Sequence, residues 1–130
     1  MSLVDWRILS ATKFLGRIAE NATPREQAST FLQVCGMIRS EGLRAIILDM
    51  DHAVAGMPAG AVDFGAGILA EEMHESGLRR FALVHRGIEG SWWEAVVAEL
   101  CKLGVDARGF PTVDEARTWV TARESEDPAS

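Results

Sequence analysis

Two aspartates and a histidine that follow an apolar run are the residues best suited to chemistry in this sequence. Residues 46–52 read IILDMDH, so Asp49 and Asp51 have D-x-D spacing and His52 follows directly. His85 ends a second apolar run, RFALVH. Carboxylates and imidazoles serve as metal ligands, nucleophiles, general acids and general bases. These side chains therefore predict where a reactive site would lie, if the chain has one.

Phosphoryl-transfer chemistry lacks the partners that it needs. A hydrophobic strand ending in D-x-D looks like the nucleophile motif of haloacid-dehalogenase-like phosphatases, which also require a strand-end hydroxyl, a lysine and a further acidic group for magnesium. Here the neighbouring strand ends in His85, and the only lysines are Lys13 and Lys102. A response-regulator receiver domain needs an acidic pair after its first strand, but LVDWRIL supplies only Asp5. We predict neither class.

A metal site is the weakest alternative. Asp49, Asp51 and His85 have ligand-type side chains, but their spacing is not diagnostic of a metal. Aspartates in loops commonly accept hydrogen bonds from nearby backbone amides instead. We therefore predict no bound metal or other cofactor, and we keep a metal-assisted hydrolase only as a third hypothesis.

Four glycines around residues 56–67 suggest an anion-binding helix start, because free backbone amides at such a position can bind an anion. No Gly-Lys-Ser or Gly-Lys-Thr follows them, so they do not form a Walker loop. We interpret Gly65 and Gly67 as small residues that let a helix lie close to a sheet.

The composition fits one compact domain and disfavours several partners. The chain has 130 residues, of which 48% are hydrophobic, and a net charge of -6, so nucleic acid and anionic membranes are not expected partners. The sequence has no signal-peptide pattern and no apolar run of about 18 residues, so we predict a cytoplasmic protein without a membrane span. Cys35 and Cys101 lack CxxC spacing, and we predict two buried free thiols.

Hydrophobic periodicity predicts an α/β fold with a mixed sheet of about five strands and about four helices. Alternating residues in the first two segments predict an antiparallel hairpin, and continuously apolar later strands predict parallel central ones. The predicted strands are 3–9, 13–19, 44–50, 80–85 and 105–110. The predicted helices lie between and after these, from 24 to Glu41, from about Ala59 to Glu75, from Ser91 to Gly104 and from Thr112 onward. A single domain would span 1–122, and the polar tail 123–130 is expected to fray.

Capping signals define the ends of these helices. Threonine or serine followed three residues later by glutamate gives three capping boxes, including Thr112 with Glu115. Gly42, Gly77 and Gly104 are predicted to end helices in a left-handed conformation. The predicted inward-facing residues are Ala28, Phe31, Leu32, Cys35 and Ile38; Val62, Ala66, Leu69 and Met73; Trp93, Val97 and Leu100; and Ala116, Trp119 and Val120.

The hairpin, the strand ending in Asp49, the segment D-F-G-A-G-I-L at 63–69 and the ending R-G-F-P-T-V-D-E-A-R-T-W-V at 108–120 together resemble a STAS domain. STAS domains are the sulfate-transporter and anti-sigma-factor-antagonist domains. The ending is similar to the free-standing bacterial branch of sporulation-antagonist-like and Sec14-related domains. The resemblance covers nearly the whole chain and implies the same α/β fold.

The resemblance implies a non-enzymatic switch that binds a partner protein. In the anti-sigma branch, phosphorylation of a serine within D-S-S-G breaks the complex. Here Asp63 matches the aspartate and Phe64 stands at the serine position, and no Ser or Thr occurs from Glu41 to Glu75. Phosphorylation at the family position is therefore excluded, because there is no acceptor hydroxyl.

These observations lead to a non-catalytic, STAS-like protein-interaction domain as the first hypothesis. In a parallel sheet, ligands bind beyond the carboxyl ends of the strands, where the loop 51–60 and the following helix start would present a surface. The predicted surface residues are Asp51, His52, Met57, Gly60, Asp63, Phe64 and Trp92. The expected partner is another protein, with a second copy of the chain as a further candidate. The alternative is a carrier of a small hydrophobic ligand, with a cavity lined by Met57, Phe64, Trp92 and Phe110.

Overall fold

The computed structural model describes residues 3–10, 13–18, 24–49, 65–84 and 92–126. The strands are β1 (Leu3–Ser10), β2 (Lys13–Ile18), β3 (Ala45–Asp49), β4 (Arg80–Val84) and β5 (Asp106–Phe110). The helices are α1 (Pro24–Glu41), α2 (Ala66–Glu75), α3 (Trp92–Lys102) and α4 (Val113–Glu126). The predicted α/β fold is confirmed. The boundary between a domain at 1–122 and a frayed tail stays a prediction.

The sheet follows the order of the chain. Its five strands lie in the order β1-β2-β3-β4-β5. The hairpin strands β1 and β2 are antiparallel, and each later strand is parallel to the one before it. The predicted hairpin and parallel central strands are therefore both confirmed. β1 and β5 form the two edges.

Consecutive parallel order places the first three helices on one face of the sheet. Crossovers between parallel strands are almost always right-handed, so successive crossovers in one direction stack their helices on the same side. Ile46 and Leu48 of β3 point into this layer, because side chains alternate along a strand. The buried residues of this main core come from α1, α2, α3 and the sheet, and they include Phe14, Phe31, Ile38, Leu69, Met73, Phe81, Trp93 and Leu100.

The opposite face of the sheet packs against α4. Ile47 of β3 and Val84 of β4 point to this side and contact Ala116 and Val120 in a second, smaller core. α4 makes its main contacts with β3, β4 and β5. Leu9 and Leu15 of the hairpin belong to the same core but are only half-buried. The sequence therefore builds two cores of unequal size.

The predicted glycine helix stops are confirmed. Gly42, Gly77 and Gly104 have φ angles of 67°, 107° and 89°, which L side chains rarely adopt. After α2 the amide of Leu78 donates to the carbonyl of Met73 at 3.2 Å. That bond satisfies a carbonyl which the last turn of the helix cannot pair itself.

The interpretation of Gly65 and Gly67 is wrong. Gly65 has extended backbone and is the N-cap of α2, so this helix begins at Ala66 and not near Ala59 as predicted. A Cβ on Gly65 would have no described atom within 4 Å, and one on Gly67 would meet the Glu99 carboxylate of α3 at 3.8 Å. Neither position needs glycine for close packing against the sheet.

Two predictions of burial are also wrong. Leu32 is 48% exposed because α1 turns Phe31, Val34 and Cys35 inward instead, and Leu32 lies outside this stripe. Cys35 is buried as predicted, but Cys101 is exposed. Cys101 lies in the last turn of α3, beyond the position where Leu100 fills the core, and its Sγ donates to the Ala107 carbonyl at 3.4 Å.

Candidate functional site

Most residues of the predicted surface lie outside the described part of the chain. These are Asp51, His52, Met57, Gly60, Asp63 and Phe64, and the metal-ligand candidate His85 lies outside it as well. Trp92 is the first residue of α3, but the description of this residue is limited to its backbone. The roles predicted for all of them stay predictions.

Asp49 is the one strand-end carboxylate of the predicted site that is described. It is the last residue of β3, is half-buried and lies in register with Arg17 of β2 and Val84 of β4. Among the described residues, no three His, Cys, Asp or Glu side chains converge as metal ligands would. In the same residues, no helix is long and apolar enough to cross a membrane.

An open groove lies where β5 joins α4. Its volume is about 510 Å³, which falls in the range of small-molecule sites. The lining residues are Phe110, Pro111, Asp114, Glu115, Thr118, Trp119 and Ala122. Phe110 is the last residue of β5, so the groove lies at the carboxyl end of an edge strand.

The capping box at the start of α4 holds the groove in place. The Glu115 amide donates to Thr112 Oγ1 at 3.2 Å, and Thr112 Oγ1 donates to a Glu115 carboxylate oxygen at 3.5 Å. The first bond is the hydroxyl half of the predicted third capping box, but in the second the Glu115 carboxylate accepts from the Thr112 hydroxyl and not from the Thr112 amide. The first bond stabilises the start of α4 beside Phe110.

Two aromatic rings form the apolar wall of the groove. The ring centroids of Phe110 and Trp119 are 5.3 Å apart at an interplanar angle of 45°, a geometry typical of attractive aromatic pairs. Both side chains are half-buried. Trp119 packs against the smaller core and still borders the groove, because it lies on the flank of α4 beside the inward-facing Ala116 and Val120.

Charged groups of both signs surround these rings. The guanidinium carbon of Arg108 lies 5.8 Å from the centroid of the Trp119 ring, within cation–π range. Asp114 and Glu115 also line the groove, and both are exposed. The groove therefore combines an aromatic wall with two carboxylates, and one arginine already lies over the tryptophan.

Phe110 and Trp119 of this groove were each predicted from the sequence to be structurally important, but their contact with each other was not predicted. Phe110 was predicted to lie at a strand end, and Trp119 was predicted to face inward on the last helix. The available signal was an aromatic residue just before Pro111 and a second one on the flank of a helix that begins with a capping box. Hydrophobic periodicity assigns a residue either to the core or to the surface. It therefore does not identify a residue such as Trp119, which packs against the core and also borders a surface groove.

The buried thiol of Cys35 is chemically quiet. Burial in the main core, with a further contribution from the Glu72 carboxylate, raises the pKa of Cys35 from 9.0 to about 11. The thiolate is the reactive form of cysteine. At neutral pH, Cys35 therefore acts as a small apolar core residue.

Comparisons with protein-family models, with curated proteins and with solved structures found no match to this chain. The STAS assignment therefore stays a prediction from the sequence, and the groove at β5 and α4 has to be interpreted from its own geometry.

Proposed function

We propose that this chain is a non-catalytic, STAS-like regulatory domain that works by binding another protein. The observation that carries the proposal is the open groove between β5 and α4, with its two half-buried aromatic rings. Half-buried aromatic side chains at the surface are typical anchors of protein interfaces, since they bury a large area with little loss of side-chain entropy. The α/β sheet with an N-terminal hairpin supports the resemblance on which the STAS part of the proposal rests.

Two features suggest how such a domain would operate. The segment Glu41 to Glu75 contains no serine or threonine, so control by phosphorylation at the STAS position is excluded from the proposal. The described cysteines, Cys35 and Cys101, are free thiols, and this fits the reducing cytoplasm that we propose as its setting. Control would come from partner concentration or from competition between partners.

Site-specific crosslinking tests the proposal. A photoreactive phenylalanine analogue replaces Thr118 inside the groove, and a control variant carries it at Glu71, which is exposed on α2. We expect a discrete protein adduct in native-host lysate from position 118 and not from position 71. The identified partner, purified, should bind the unmodified chain, and Trp119→Ala should weaken this binding about tenfold or more.

Two results would contradict the proposal. One is the absence of any specific adduct together with turnover of a substrate by the purified chain. The other is a purified partner whose affinity is the same for the Trp119→Ala variant and for the unmodified chain.

A carrier of a small hydrophobic ligand is the second candidate, and the groove volume of about 510 Å³ at Phe110 favours it. Small-molecule sites usually bury most of the ligand surface, whereas this groove is open along one side. Native mass spectrometry of the chain purified from its host distinguishes the two. A stoichiometric co-purifying lipid that is lost in Phe110→Ala would support the carrier.

A further inference from the structure

We propose that the groove between β5 and α4 binds a basic segment of the partner, in which an arginine or lysine stands next to an apolar side chain. This inference rests on the proposed function, and it adds the chemistry of the partner. It is carried by the position of Asp114 and Glu115 beside the Phe110–Trp119 pair.

The aromatic wall provides the apolar surface of the groove. Phe110, Pro111 and Trp119 present carbon atoms to the groove, and Ala122 adds to them about one helical turn after Trp119 on α4. A leucine, methionine or proline of the partner would remove this surface from water. The apolar contact alone would not select one partner from many, because it is not directional.

The carboxylates of the groove supply the selectivity for a basic partner. Asp114 and Glu115 are exposed and line the groove. The Asp114 carboxylate makes no hydrogen bond or ion pair to another described residue, whereas the Glu115 carboxylate accepts a hydrogen bond from Thr112 Oγ1. An arginine can bind a carboxylate through two parallel hydrogen bonds. The chain's net charge of -6 adds long-range attraction for a basic partner.

Arg108 shows that the Trp119 ring accepts a cation. Its guanidinium carbon lies 5.8 Å from the ring centroid, and tryptophan is the best aromatic partner for a cation. Arg108 also repels an incoming cation, but among the described charged groups at the groove the two carboxylates outnumber this arginine. An acidic or phosphorylated segment would meet both carboxylates at once, and the geometry disfavours it.

Three synthetic octapeptides test the inference. One contains arginine and leucine in alternation, and in the other two every arginine is replaced by glutamine or by glutamate. Each is titrated into the 15N-labelled full chain while the indole resonance of Trp119, assigned with Trp119→Phe, is followed. We expect the arginine peptide to bind at least about tenfold more tightly than the glutamine peptide. Its affinity should fall when salt is raised from about 50 to about 300 mM, because added ions screen exposed charges.

Paired variants identify the carboxylates. The double variant Asp114→Asn, Glu115→Gln retains the shape of both side chains. Its affinity for the arginine peptide should fall to its affinity for the glutamine peptide. The control double variant Glu71→Gln, Glu75→Gln removes the same charge from the exposed face of α2 and should leave the preference intact. Urea unfolding midpoints of both variants show whether each one is folded.

The inference would be overturned if the glutamate peptide bound as tightly as the arginine peptide, or more tightly. It would also be overturned if the Trp119 indole resonance did not shift at millimolar concentrations of the arginine peptide. The outcome for the proposed function is separate. If position 118 crosslinks a partner whose binding needs Trp119 while the peptides show no charge preference, the protein-binding function stands and the basic partner chemistry is wrong.

Discussion

At the scale of single residues, Trp93 and Phe31 together join three parts of the main core. Trp93 is fully buried at the start of α3, and its ring centroid lies 4.2 Å from that of Phe31 on α1. The Phe31 centroid in turn lies 5.9 Å from that of Phe81 of β4. The two side chains therefore link two helices to the centre of the sheet.

Replacing Trp93 should be among the most destabilising substitutions. We expect Trp93→Ala to lower the free energy of unfolding by about 3–5 kcal/mol. The substitution leaves a cavity in the core, and the surrounding aromatic rings can fill it only in part. The half-buried Trp119 is the matched control, and Trp119→Ala should cost about 1–2 kcal/mol. Urea unfolding followed by circular dichroism measures both, and equal losses would contradict the assignment of Trp93 to the core.

The Cys35 thiol makes a testable contribution to pH dependence. Its pKa in the folded chain is raised from 9.0 to about 11, so the folded state retains the proton more strongly than the unfolded state. The stabilisation is fully present below pH 9 and is lost as pH rises toward 11. A shift of this size corresponds to roughly 2–3 kcal/mol.

Unfolding measured from pH 8 to 11 should therefore show a loss of stability that is smaller in Cys35→Ala. The chain has no tyrosine, which leaves few other side chains to titrate in this window. At pH 8, iodoacetamide should modify the exposed Cys101 well before Cys35, as peptide mass spectrometry would show. Equal modification rates in the native chain would argue against a buried thiol.

At the scale of elements, glycine has two different structural effects in this chain: it ends a helix at one position and weakens a helix at another. Gly77 ends α2 at a φ of 107°, whereas Gly36 lies within α1 and an added Cβ there would have no atom of the described residues within 4 Å. Gly77→Ala should cost about 1–2 kcal/mol, because alanine is strained at that φ. Gly36→Ala should instead stabilise the chain by about 0.5–1 kcal/mol, because glycine in a helix loses more entropy on folding. Thermal unfolding of both variants checks the opposite signs.

The elements themselves were largely predictable because their signals are local. β3 reads as a continuous apolar run, and Gly42, Gly77 and Gly104 mark helix ends through their own backbone preference. The start of α2 was not predictable, since the cap at Gly65 makes no side-chain hydrogen bond. The groove was not predictable either, because the Phe110–Trp119 contact depends on how α4 crosses the sheet.

At the scale of the whole molecule, the two faces of the sheet are unequal. Three helices cover one face, while among the described elements α4 is the helix that packs on the other. Among the side chains of α4 that the structure describes, Ala116 and Val120 are the fully buried ones. Small side chains bury little apolar area, so α4 is held less firmly than the helices of the main core.

Hydrogen exchange should detect this difference. We expect amides of α4 to exchange at a lower opening free energy than those of β3 and β4, because local opening follows the weakest contacts. Val120→Ala should accelerate exchange in α4 more than in α1. If α4 proved as protected as the central strands in native-state exchange with mass spectrometry, the smaller core would be as strong as the larger one.

The consecutive order of the strands bears on how the chain folds during synthesis. Each new parallel strand pairs with the strand made just before it, so the sheet can grow at one edge as the chain leaves the ribosome, without waiting for distant segments. The second face is different. Among the described helices, α4 is the one that covers Ile47, Ala82 and Val84, so this apolar face of the sheet gains that cover only after β5 has been synthesised.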